Sequence, residues 1–376
     1  MKITDIKTFA VSAHVDNWVF CKIYTDEGVT GLGECSVEGR EQTVMAAVGE
    51  LKPYLVGKDP FDTELHFYRM YRDAYWGSGA ILSGALSAVD CALWDIKGKA
   101  LGLPVHKLLG GKVRDKIRVY ANRWFFGCNT PDALAKRAAE TVEAGYTALK
   151  WDPFGQAEAE IGKSELKTAL EEIKAVRGAV GNEVDILIEG HGRFNAHTAI
   201  NIAREIAEYR PMFFEEPVMP ENLDQLAEVH QKSPVPIAAG ERFYSKYDFN
   251  GAISKNCIDY AQPDIRIAGG ITETKKIAAL AEANFVQIAP HNIHGQVGTA
   301  HTLQLVASIP NACILEYSVE HIPHKSEIFD RVIKAEAGYI KIPDEPGIGL
   351  ELFEEHLHKY PHRPMSMIEK MFKNEL

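Results

Sequence analysis

The chain lacks a basic surplus. Its 52 acidic residues outnumber 41 lysines and arginines, for a formal net charge of −11. Phosphate backbones are held by lysine and arginine, so nucleic acid is excluded as a main partner. No apolar run is long enough to span a bilayer, so no membrane partner is expected. The opening Met-Lys-Ile-Thr-Asp-Ile-Lys alternates like a strand and has no apolar signal core. Six cysteines (Cys21, Cys35, Cys91, Cys128, Cys257, Cys313) are scattered, with no Cys-x-x-Cys pair. In a chain of 376 residues they read as buried thiols of a reduced compartment, not as a disulfide frame. No Gly-x-Gly-x-x-Gly follows an early strand, which argues against a dinucleotide-binding fold. What remains, with 25% charged residues, is the composition of a soluble globular enzyme, expected in the cytoplasm.

The length suits one large domain with a smaller one. Residues 1–115 read as an α+β unit. Ile3–Val11, Trp18–Thr25 and Val29–Glu34 have the pattern of an antiparallel meander, turning at Asp26-Glu27-Gly28. His14–Trp18 reads as a loop. Ser83–Ala100 reads as a helix, with Leu82, Ala85, Val89, Leu93 and Ile96 on one face.

From Lys116 short apolar strands alternate with helical stretches. Strands are expected at Ile117–Ala121, Thr147–Trp151, Asp185–Glu189, Met212–Glu215, Pro236–Ala239, Ile258–Ala261, Phe285–Ala289 and Ala312–Glu316. Eight strands with helices between them, over about 200 residues, predict an α/β closed parallel barrel of the TIM type across 116–320. The irregular segment 321–376 is expected to return to the first unit.

Barrels of this kind carry their chemistry where the strands end. The second expected strand ends near Lys150 and Asp152, and the third at Glu189, with His191 just beyond. The fourth closes with Glu215-Glu216, the fifth with Gly240-Glu241-Arg242. Asp264, His291 and Glu316 close the last three. A Glu-x-His pair alone is usually two surface residues. Three glutamates on consecutive strands, each 26 residues from the next, are different. Such carboxylates on one rim repel unless a cation joins them. All-oxygen ligation suits Mg²⁺ first and Mn²⁺ second. Asp264 beside His291 would fix its tautomer and raise its basicity. Lys150 suits a base, a carboxylate binder or a Schiff-base nucleophile. Arg193, Arg242 and Arg266 are candidates to grip an anionic substrate. Trp18 is a candidate substrate contact if its loop closes over the site.

Glu189-Gly-His191, Phe214-Glu215-Glu216-Pro217, Gly240-Glu241-Arg242, Gln262-Pro263-Asp264, Ala289-Pro290-His291 and Glu316, taken as a set over nearly the whole chain, resemble the enolase superfamily and its mandelate racemase subgroup. The resemblance implies a modified TIM barrel, (β/α)7β, under an amino-terminal α+β capping domain. It implies one Mg²⁺ on Glu189, Glu215 and Glu241, with His291 as general base supported by Asp264. Glu316 would hydrogen-bond the substrate carboxylate. The shared step is removal of the proton α to that carboxylate, the metal stabilising the enediolate.

Within the subgroup the pattern is nearest to sugar-acid dehydratases of the galactonate and gluconate type, in which a second histidine, here His191, protonates the departing 3-hydroxyl. The implied product is a 2-keto-3-deoxy acid, and the implied partner is a small acid sugar. Such enzymes are commonly homo-oligomers. Racemisation or cycloisomerisation of another carboxylate is the alternative on the same scaffold. Two positions depart from the pattern. Glu189 stands where Asp is usual, and Lys150-Trp151-Asp152 replaces the Lys-x-Lys of two-base racemases.

Overall fold

A computed structural model describes residues 1–13, 16–73, 75–293 and 295–364. At the amino end, β1 (Ile3–Ala13), β2 (Asp16–Thr25) and β3 (Thr30–Glu34) form the antiparallel meander. Val11 stands opposite Trp18, and Phe20 opposite Glu34. β2 starts earlier than expected, so Asp16–Trp18 is strand and not loop. The reason is that its polar residues are satisfied inside the protein. Asp16 pairs with Arg123, and Asn17 Nδ2 donates to the Arg363 carbonyl at 2.8 Å. Polarity therefore does not mark exposure here. His14 and Val15 of the expected loop lie outside the described residues.

Helices α1 (Glu41–Leu55) and α3 (Ala80–Leu101) pack on this sheet, and α2 (Thr63–Tyr68), between them in sequence, packs on α3. The apolar positions of α3 recur every three to four residues, so Ala85, Val89, Leu93 and Ile96 are buried against the meander. The opposite side of α3 meets the barrel. There the Asp90 carboxylate accepts the Thr272 N–H at 2.9 Å, and Trp94 Nε1 donates to Thr272 Oγ1 at 2.8 Å. A short helix, α4 (Val105–Leu108), leads into the second unit.

Among the described residues that unit contains eight parallel strands: β4 (Lys116–Asn122), β5 (Ala148–Trp151), β6 (Asp185–Glu189), β7 (Phe214–Glu215), β8 (Ile237–Ala239), β9 (Tyr260–Ala261), β10 (Gln287–Ile288) and β11 (Leu315–Ser318). Seven helices alternate with them: α5 (Pro131–Glu143), α6 (Lys163–Val180), α7 (Ala196–Ile206), α8 (Leu223–Lys232), α9 (Lys246–Ser254), α10 (Gly270–Ala283) and α11 (Gln296–Ala307). Side-chain caps start several. Thr130 accepts from Ala133 N, and Asn195 from Thr198 N, each satisfying an amide that has no partner inside its helix. Strands β4 to β10 lie side by side in chain order, and β11 pairs with β4. Ile288 N donates to the Asn311 carbonyl at 2.8 Å and Cys313 N to the Ile288 carbonyl at 3.0 Å, closing the ring. The fold is therefore the (β/α)7β barrel with its capping domain. The expected strands recur, several of them shortened.

The lumen explains where the chemistry falls. Tyr120, Ala148, Leu187, Phe213, Ala289 and Ile314 pack together as one buried layer. Side chains alternate along a strand, so the residue two places later points the same way. Those residues are Asn122, Lys150, Glu189, Glu215, His291 and Glu316. An apolar plug thus sits beneath a polar tier at the C-terminal mouth. Glu241 reaches that tier differently. Gly240, at φ +144°, turns the chain just beyond β8.

The segment after β11 touches both units. β12 (Tyr339–Lys341) pairs antiparallel with β4, Ser12 N donates to the Tyr360 carbonyl at 3.0 Å, and Ile348 N donates to Asp95 Oδ1 at 2.9 Å. Residues 365–376 lie outside the described residues. No helix among the described residues is long and apolar enough to cross a membrane.

One contact between the units predicts a pH dependence of stability. His301 on α11 is buried, and its Nε2 lies 2.7 Å from the Leu32 carbonyl on β3. Burial holds its pKa down to about 4, from 6.5. The folded pKa is depressed, so the unfolded chain takes the proton first. Stability from this group is full above pH 6.5 and is lost as pH falls toward 4. The total is on the order of 3 kcal/mol. Thermal melts from pH 7 to pH 5 should fall more steeply for the native chain than for His301→Gln. Parallel slopes would contradict the assignment.

Candidate functional site

The polar tier gathers four buried charges. Lys150 Nζ lies 2.7 Å from Glu215 Oε1, 2.9 Å from Glu316 Oε1 and 3.1 Å from Glu189 Oε2. Burial disfavours its charge, but Glu215, Glu316 and Glu189 outweigh it and hold its pKa well above the ordinary lysine range. Lys150 is thus a fixed cation and not a neutral amine. This arrangement does not suit the base or Schiff-base roles.

One oxygen from each of Glu189, Glu215 and Glu241 lies within 4.8 Å of the others. Burial and the neighbouring Glu189 push Glu215 well above the usual carboxylate range. Glu189 moves the other way. Burial would raise it, but the His191 and Lys150 charges and the His191 N–H at 2.7 Å hold it below that range. Glu215 Oε2 is buried and has no hydrogen-bond partner. An orphaned carboxylate oxygen facing two other carboxylates fits a hard divalent cation, and oxygen-only donors favour Mg²⁺ over softer metals.

The two histidines sit on opposite sides of this trio, because β6 and β10 are four places apart in an eight-strand ring. His291 Nδ1 lies 2.7 Å from Asp264 Oδ2, and its Nε2 lies 3.3 Å from Glu241 Oε2. The Asp264 contact assigns the ring proton to Nδ1 and turns Nε2 toward the mouth. Burial lowers the His291 pKa, yet Glu241, Glu316 and Asp264 together raise it to about 9. Asp264 itself is held down to about 2, burial being outweighed by Arg266 and His291. Across the ring, His191 Nδ1 lies 2.7 Å from Asp152 Oδ2, and half of its side chain is exposed. Burial opposes its charge, but Glu189 and Asp152 raise its pKa to about 9.

The expected substrate contacts are placed otherwise. Trp18 is 1% exposed and packs against Phe20 and His324, so it presents no surface to a ligand. Asp152 is at the site, but it is engaged by His191 and Arg193. Both Glu316 oxygens are held, Oε1 by Lys150 and Asn122 and Oε2 by the Asn292 N–H at 2.8 Å. Burial raises its pKa, but Lys150 and His291 outweigh that and keep Glu316 ionised. The three arginines read as anion grips each face a carboxylate: Arg193 with Asp152, Arg242 with Glu216, and Arg266 with Asp264.

Asn122 and Asn292 are the residues that sequence reading missed. Asn122 had a usable signal, since it follows Tyr120 by two places at the end of the first barrel strand. Asn292 acts mainly through its backbone, which no residue type announces.

Comparison with known proteins agrees with this layout. Residues 2–110 match the mandelate racemase / muconate lactonizing enzyme N-terminal domain, and residues 133–356 match the enolase C-terminal domain-like family. The chain is 39% identical to a D-gluconate dehydratase of Thermoproteus tenax, covering 92% of this chain and 70% of that protein. It is 37% identical to a D-galactonate dehydratase of Xanthomonas axonopodis pv. citri, covering 97% and 95%. The fold superimposes on a member of the enolase superfamily from Salmonella Typhimurium with a TM-score of 0.91 at 34% identity, covering 96% of this chain and 98% of that one.

Proposed function

The chain belongs to the enolase superfamily, in its mandelate racemase / muconate lactonizing enzyme family, and from that premise we propose that it is a hydro-lyase that dehydrates a sugar acid. The observation that carries this reading is the pair of histidines placed at opposite positions of the strand ring, with three carboxylates on the strands between, each histidine with its own aspartate. Loss of water from a 2,3-dihydroxy acid needs a base on one side and an acid on the other.

Glu189, Glu215 and Glu241 would hold Mg²⁺. When bound, Mg²⁺ supplies Lewis-acid stabilisation of the negative charge that develops as the α-proton leaves. His291 Nε2, neutral once a bound cation offsets the Glu241 charge that raises its pKa, takes that proton from C2, while Asp264 keeps the Nδ1 proton and steadies the imidazolium. His191 gives its proton to the 3-hydroxyl, the C3–O bond breaks, and water departs. The enol left behind tautomerises to a 2-keto-3-deoxy acid. Lys150 offsets the negative charge of the carboxylates and keeps Glu316 in place beside His291.

The geometry does not favour the two-base racemase alternative. Two-base chemistry needs a neutral second base, and Lys150 is held cationic by three carboxylates. The relatives named D-gluconate and D-galactonate dehydratase support an aldonate as substrate. The test is a screen of C4–C6 aldonates and aldarates with Mg²⁺, scored for 2-keto-3-deoxy products. At least one aldonate is expected to yield such a product. If an acid instead exchanges or inverts at C2 and none loses water, the proposal fails.

A further inference from the structure

The turn that carries His191 is conformationally unusual. His191 has φ +48° and Gly192 has φ +64°, so two successive residues are left-handed. A non-glycine residue there costs of order 1 kcal/mol or more and persists only where its surroundings hold it. The hold comes from the next strand. Gly192 N donates to the Glu216 carbonyl at 2.7 Å, and Gly190 N donates to the Glu215 carbonyl at 2.9 Å. Glu216 is itself left-handed, at φ +39°, and 2% exposed.

Arg242, from the loop after β8, completes the enclosure. Its Nε donates to Glu216 Oε1 at 3.1 Å, and a terminal nitrogen lies 2.6 Å from Oε2. The same nitrogen lies against Gly192. A Cβ at residue 192 would fall 1.9 Å from it and 3.3 Å from the Val218 carbonyl. The guanidinium therefore fills the space that any side chain at 192 would need. It braces the turn from one side, and the Glu216 carbonyl holds it from the other.

We propose that Arg242 and Glu216 are positioning residues for the acid step: their ion pair fixes the left-handed His191–Gly192 turn and so aims the His191 imidazole at the leaving hydroxyl. The inference rests on the dehydratase reading for the role of His191. It assigns Arg242 no contact with substrate, since Nε and one terminal nitrogen face Glu216, the other terminal nitrogen points to Met219 Sδ at 3.9 Å, and the guanidinium covers Gly192. It also separates the two halves of the reaction. Proton abstraction by His291 lies across the ring, and the turn reaches that half of the reaction only through the His191 N–H on Glu189 Oε1.

The test compares Arg242→Lys and Glu216→Gln with the native enzyme, using an aldonate and Mg²⁺ in deuterated water. Dehydration should fall about 100-fold, the penalty typical of a catalytic group misplaced by an ångström. Exchange at C2 should fall by less than about threefold, and KM should stay close to native. In a His191→Asn background, Arg242→Lys should lower exchange no further. A parallel loss of dehydration and exchange overturns the proposal, as does a raised KM with unchanged kcat, which would make Arg242 a substrate grip. A tenfold or greater loss of Mg²⁺ affinity by equilibrium dialysis also overturns it, because the pair would then serve the metal ligands. Native turnover tests the dehydratase reading separately. A readout independent of any turnover is the crystal structure of Arg242→Ala, in which His191 should leave the left-handed region and its contact with Asp152. An unmoved His191 contradicts the inference.

Discussion

Replacing His291 by Asn is expected to lower turnover at least about 1000-fold, in the upper range for loss of a general base. The side chain is buried at the barrel mouth, with Nδ1 bound to Asp264 and Nε2 turned toward Glu241 and Glu316. No other imidazole among the described residues is so placed on that side of the ring. Asparagine keeps a donor for Asp264, so the fold should survive, and the melting temperature should change by only a few degrees. Exchange of the C2 proton with deuterated water should disappear along with turnover. Lost turnover with retained exchange would move the base role to another group.

Glu215→Gln is expected to abolish both turnover and stabilisation by Mg²⁺. Glu215 is 0% exposed, and its pKa is raised by burial and by the neighbouring Glu189. A cation joining the trio relieves that repulsion, so the native chain should melt higher with Mg²⁺ than with EDTA. At a hundredfold excess over Kd the gain is about 2.7 kcal/mol. For a chain of this size that is a rise of several degrees. The Gln variant carries one buried charge fewer, so its melt in EDTA should be no lower than native and should not respond to Mg²⁺. A Mg²⁺-dependent rise retained in Glu215→Gln would show that the trio is not the metal site.

The barrel was legible because its strands are short apolar runs ending in polar residues two places beyond a lumen residue, as Leu187 and Glu189 show. Glu189 and Glu215 were legible for the same reason, and Glu241, which Gly240 carries past β8, by the equal spacing alone. The site's inner pairings were not. Arg193, Arg242 and Arg266 look alike in sequence as candidate anion grips, yet each meets a carboxylate whose direction only the fold sets. Trp18 follows two polar residues and so suggested a loop over the mouth. Arg123 and Arg363 satisfy those residues from far along the chain and fold Trp18 inward. Glu316, expected at the end of the last barrel strand, lies inside it, because the strand runs Leu315–Ser318, and its state depends on Lys150, Asn122 and Asn292 together. The left-handed turn at His191 leaves no trace in residue type beyond the glycine that follows.

The most direct measurement of the central claim, that two opposed histidines divide one elimination, uses His191→Asn. The variant is incubated with Mg²⁺ and an aldonate that the native enzyme dehydrates, in deuterated water, and followed by proton NMR. Deuterium should enter at C2 while the 3-hydroxyl stays in place and no keto acid accumulates. Dehydration at the native rate, or loss of exchange together with dehydration, would contradict it.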